Sequence, residues 1–156
     1  MFKQLEFARS QTLKQLEGVA EDDADRVPQL FRNSIRWNAG HIYVVTERFA
    51  FQYIGLSLQL PEGFKERFER DTSPLTVSPD VPGSVPTLRE LESLLKDQPA
   101  RIAAALGARL NEPLALPFTT SAGLLLETPA QCLSFNLYHE GMHVNAIKNY
   151  KRLLLS

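Results

Sequence analysis

The chain has 156 residues, 44% hydrophobic and 22% charged, a size and balance that suit one compact domain with a single core. Seventeen basic against eighteen acidic side chains give a formal charge of -1, so no net positive field gathers a polyanion and nucleic acid is excluded as the main partner. The single cysteine, Cys132, forms neither an internal disulfide nor a multi-thiolate metal site and suits a reducing, cytoplasmic setting. Met1 to Val19 carries charge too often for a signal peptide, and the longest uncharged stretches, Phe49 to Pro61 and Pro113 to Leu126, are too short and polar to span a membrane.

In chain order, Phe2, Leu5, Ala8, Leu13, Leu16 and Val19 recur at helical spacing and predict a first amphipathic helix ending near Gly18. The acidic run Glu21 to Asp25 and Pro28 form a polar connection. Asn33 or Ser34 then caps a second helix running to about Gly55. Five prolines at 61, 74, 79, 82 and 86 break the next stretch into a crossover with one short helix near Glu62 to Arg70. Thr87 caps a third helix, whose stripe is Leu88, Leu91, Leu94, Leu95, Ile102, Ala105, Leu106 and Leu110. Glu112 to Glu127 reads as a loop with a short extended hairpin. Thr128 and Pro129 have the chemistry of a cap and first helical position, opening a fourth helix to about Leu154.

Four amphipathic helices predict an all-α four-helix bundle in one domain over residues 1–156. About thirty residues join helices two and three, enough to run the bundle's length, so these two are expected to lie parallel.

Only three histidines occur, His41 on helix two and His139 and His143 on helix four. His139 and His143 are four apart and share a helix face, a spacing at which two neutral imidazoles reach one metal ion. Residues 139–143 also spell H-E-x-x-H, in which Glu140 would be a general base acting on metal-bound water. The thirteen residues after His143 contain no His, Asp or Glu, so a zincin arrangement fails and any third ligand lies upstream. His41 is the remaining histidine, although the carboxylates are too numerous for periodicity to choose among all candidates. Asn38 and Asn136 each precede a histidine by three residues on the same faces. Trp37 is read as pocket wall or core aromatic, Gly141 as a site of close packing or metal access, and Cys132 as a buried hydrophobe outside the site.

Trp37, Asn38, Ala39, Gly40 and His41, together with Tyr138, His139, Glu140 and His143, resemble the DinB/YfiT-like superfamily of bacterial four-helix proteins. The resemblance spans nearly the whole chain. It implies an up-down-down-up bundle with a divalent metal, often nickel or zinc, held by His41, His139 and His143. It also implies kinship with thiol-dependent enzymes, among them bacillithiol S-transferases and mycothiol-dependent maleylpyruvate isomerases, and gives no reason to expect nucleic-acid binding. The leading expectation is therefore a metal-dependent transferase or isomerase acting on small electrophiles with a low-molecular-weight thiol, working as a homodimer. The alternatives are a non-catalytic metal-binding or partner-binding bundle and a metal-dependent hydrolase using Glu140.

Overall fold

A computed structural model describes residues 1–155, and side chains through Leu154. Its four long helices are α1 (Phe2–Leu16), α3 (Ile35–Ala50), α5 (Leu88–Leu106) and α6 (Pro129–Leu155), with two short helices, α2 (Glu21–Ala24) and α4 (Phe64–Phe68), in the connections. The fold is mainly α-helical. Helix α1 packs on α5 and α6, and α3 packs on α4, α5 and α6. The predicted hairpin is a two-stranded antiparallel ribbon, β1 (Phe118–Thr119) and β2 (Leu125–Leu126), pairing Phe118 with Leu126. Among the described residues no helix is long and apolar enough to cross a membrane.

Local chemistry sets the helix ends. Ser34 accepts a hydrogen bond from the Trp37 N–H at the start of α3, and Thr87 forms a reciprocal capping box with Glu90 on α5. Helix α3 stops at Ala50, short of Gly55, because a 3-10 turn, Gln52–Ile54, intervenes before Gly55 closes it at φ 80°. The acidic connection is itself partly helical: Glu21, Asp22 and Asp23 occupy the first turn of α2, where the helix dipole favours them.

The core has two hydrophobic clusters. One gathers Leu16, Ile35, Leu88, Leu91, Ile147 and Tyr150. The other gathers Leu5, Phe49, Ile102, Leu106, Cys132 and Leu133.

Between them lies a buried polar layer. The Arg9 guanidinium, 2% exposed, donates from Nε to Glu140 Oε1 at 2.8 Å and from Nη1 to the Leu95 carbonyl at 2.8 Å and Gln98 Oε1 at 2.9 Å. The Leu95 carbonyl is available because Pro99, inside α5, has no N–H to return to it. A helix break is thereby satisfied by a neighbouring helix, as buried backbone acceptors require.

A candidate three-histidine metal centre

His41 stands on α3, and His139 and His143 stand one turn apart on α6. Closure of the bundle brings their ligand atoms within 4.8 Å of one another. His139 Nε2 is 3.3 Å from His41 Nε2 and 3.2 Å from His143 Nε2. Ligand atoms about 2.0 to 2.1 Å from an ion stand about 3.0 Å apart in an octahedron and about 3.4 Å apart in a tetrahedron, so these spacings suit either geometry.

The outer nitrogens determine which lone pairs face inward. His41 Nδ1 donates to the Phe68 carbonyl at 2.6 Å. His143 Nδ1 donates to Asn38 Oδ1 at 2.7 Å, and the Asn38 amide is oriented by its own 2.7 Å bond from Nδ2 to the Ser34 carbonyl. With Nδ1 carrying the proton in both rings, Nε2 presents a lone pair. Second partners of this kind commonly orient metal-binding imidazoles. His139 Nδ1 is buried and, among the described residues, has no hydrogen-bond partner.

With His139 in its Nδ1–H tautomer, three imidazole lone pairs converge on one point, an arrangement that a cation between them would stabilise. The donor set therefore fits a divalent metal with N-ligand preference. Protonation is an unfavourable alternative. Burial, the largest cause in each case, pushes His41 down to about 4, His143 to about 3 and His139 to about 2, all from an ordinary 6.5. The charge of Arg48 adds to the lowering at His41 and His139. All three are held as neutral imidazoles, the form that binds metal.

The α4 segment is essential to this arrangement. Its terminal residue Phe68 supplies the carbonyl for His41, and its ring lies on Gly40, where an added Cβ would come 2.5 Å from ring carbons. Gly40 thus lets the crossover approach α3 closely enough to hold His41. Trp37 stacks on the His41 ring at 4.5 Å between centroids, and its indole N–H donates to Thr72 Oγ1 at 2.9 Å.

Glu140 faces another way. It is fully buried, and its carboxylate accepts from Arg9 Nε and Nη2 and from Thr12 Oγ1, at 2.8, 3.3 and 2.6 Å. Asn136 likewise meets the polar layer, accepting from Thr46 Oγ1 at 3.3 Å. The expectation that Gly141 serves close packing within the chain is not met, since no neighbour lies within 4 Å of a Cβ added there. Cys132 is wholly buried, and burial pushes its thiol up to about 11.

The histidines open onto a cleft of about 290 Å³. Its walls include Val45, Phe49, Phe118, Phe135 and Met142, together with Arg48, Arg70, Thr120 and Ser121. The sequence pattern did not single out Phe68 or Arg48, because one acts through a backbone carbonyl and the other is one arginine among many.

The model of the DinB superfamily matches residues 4–147. The chain belongs to the DinB superfamily. No curated protein matches it. The family match covers α1 through most of α6, so all three histidines fall within it.

Proposed function

We propose that this DinB-superfamily chain is a metal-dependent enzyme that uses His41, His139 and His143 to hold one nickel or zinc ion and acts as a thiol-dependent S-transferase or isomerase on small electrophiles. The observation that carries the reading is the convergence of imidazole lone pairs fixed from behind by Phe68 and Asn38. A bound divalent ion supplies Lewis acidity and favours the thiolate form of a coordinated thiol.

The chain's own residues do the remaining work. His41, His139 and His143 would hold the ion from the protein side, and the cleft they line would admit an exogenous ligand to it. Phe49, Phe118 and Phe135 keep that side of the site poor in water. The thiol comes from outside the chain, since Cys132 is buried with a raised pKa. Glu140 is inferred to position α6 as the counter-charge of Arg9; a hydrolase using it as general base would have to release it from Arg9 and Thr12.

An up-down-down-up course is proposed for the four helices, supported by Leu5 and Leu133 sharing one cluster of the core with Phe49 and Leu106. A homodimer is proposed as the working form, in keeping with the open space at Gly141 and exposed Tyr138 nearby on α6, and the cytoplasm as its setting.

The test has two parts. Metal analysis of the purified protein should give about one divalent ion per chain. The loaded protein should then consume an electrophilic acceptor only when a small thiol is supplied, with simple esters and amides left intact. Stoichiometric metal with no turnover of any of these would point instead to a non-catalytic metal-binding bundle.

A further inference from the structure

The cleft beside the histidines carries cationic groups and no carboxylate. Arg48 and Arg70 are on its wall, with the hydroxyls of Thr120 and Ser121 from the turn between β1 and β2, and neither Asp nor Glu is among the residues that line it. Arg48 is tied to Glu69 through Nη2, yet its Nε is buried and has no acceptor among the described residues. The Glu69 carboxylate is already shared, accepting also from the Arg70 backbone N–H at 2.7 Å. Among the described residues the Arg70 side chain is held by a 3.6 Å pairing with Asp71, with its own side chain 64% exposed and that of Asp71 88%. An exposed pair of that kind contributes little, so the guanidinium is free to turn to another partner.

Three imidazoles are neutral ligands, so they leave the charge of a divalent ion uncompensated. Arg70, weakly paired and largely exposed, leaves positive charge on this wall of the cleft, and such charge attracts an anion. The opposite wall is apolar, formed by Val45, Phe49, Phe118, Phe135 and Met142.

We infer that this cleft binds a small organic anion, a carboxylate with an apolar or aromatic body, with Arg48 and Arg70 receiving the anionic end and the phenylalanine wall receiving the body. The assignment rests on the three-histidine reading for the ion's share of the charge, but the arginine contribution is separable from it. It makes Arg48 and Arg70 determinants of substrate class rather than groups of the reaction itself.

The experiment compares 3-phenylpropanoate with its uncharged isostere 3-phenylpropanamide by calorimetric titration of the full chain, with metal content measured on the same samples. The acid is expected to bind at least about tenfold more tightly than the amide, the scale of one charge-assisted hydrogen bond. Propanoate, lacking the ring, should bind more weakly than 3-phenylpropanoate. Arg48→Gln and Arg70→Gln should each reduce the acid-to-amide ratio and together bring it close to one, while metal content and amide affinity stay unchanged. Equal binding of acid and amide by the wild-type chain would overturn the inference. So would a ratio that survives in the double variant, because the anion would then be held by the metal alone. If Arg48→Gln lowers helical content, the exposed Arg70→Gln decides by itself. A wild-type chain without metal would defeat the three-histidine reading, and the acid-to-amide ratio of that metal-free chain would still decide this one.

Discussion

Replacing Glu140 with Gln removes the carboxylate that pairs with Arg9 inside the bundle. Both side chains are essentially excluded from water, at 2% and 1% exposure. Arg9 would keep the Leu95 carbonyl and Gln98, but its charge would stand unpaired. Breaking a buried pair from one side costs about 3 to 5 kcal/mol, and the amide would recover part of this through a remaining hydrogen bond to Arg9 or Thr12. We therefore expect Glu140→Gln to destabilise the fold by about 2 to 4 kcal/mol and Glu140→Ala by about 4 kcal/mol or more. For a chain of this length each kcal/mol lowers the melting temperature by about 2 to 4 °C, so the loss is readily seen in thermal unfolding followed by circular dichroism. The double variant Arg9→Met with Glu140→Leu should regain most of that stability, because an apolar pair leaves no uncompensated charge. Metal content of folded Glu140→Gln should match wild type. A Glu140→Gln protein with wild-type stability and lost turnover would refute the reasoning and return Glu140 to the chemistry.

Other perturbations test the centre directly. Replacing His139 and His143 together with Ala should abolish stoichiometric metal, and His41→Ala should weaken it by about tenfold or more while leaving the helical spectrum intact; metal analysis and titration read both. Gly40→Ala places a methyl carbon 2.5 Å from the Phe68 ring, which should cost about 1 to 3 kcal/mol by overpacking and also lower metal affinity as Phe68 draws away from His41. The metal-free fold should lose stability on acidification: its histidines sit near 4, 2 and 3 against 6.5 when unfolded, so below pH 6.5 the unfolded chain binds more protons. Each histidine then withdraws about 1.4 kcal/mol per pH unit until its own folded pKa is approached, which urea titrations at pH 7 and 5 would show as a steeper decline in wild type than in the His139→Ala, His143→Ala variant. Chelation of the metal at pH 7 should lower the melting temperature, by an amount that grows with the metal concentration before removal.

The sequence by itself determined the four long helices and the short hairpin, because their causes are local, although it left α2 and the end of α3 at Ala50 unread. Apolar spacing along α1, α5 and α6 is a property of neighbours within two turns. Thr87 with Glu90, and Thr128 with Pro129, mark helix starts through contacts within four residues. The His139 and His143 pair was visible for the same reason. Tertiary structure alone decided the rest. Whether His41 meets that pair depends on how α3 is rotated against α6 across 98 residues of chain, which periodicity leaves open. The Phe68 carbonyl that orients His41 is a backbone atom, indistinguishable in sequence from any other, and its placement depends on Gly40 admitting α4. Glu140 and Arg9 are 131 residues apart. The H-E-x-x-H pattern places Glu140 between the two candidate ligands in sequence, but one residue along a helix turns a side chain by about 100°, and Glu140 pairs on its own face with the buried Arg9 of α1. Short-range chemistry is written in neighbouring residues, whereas the partners of a buried charge are chosen when the helices close on one another.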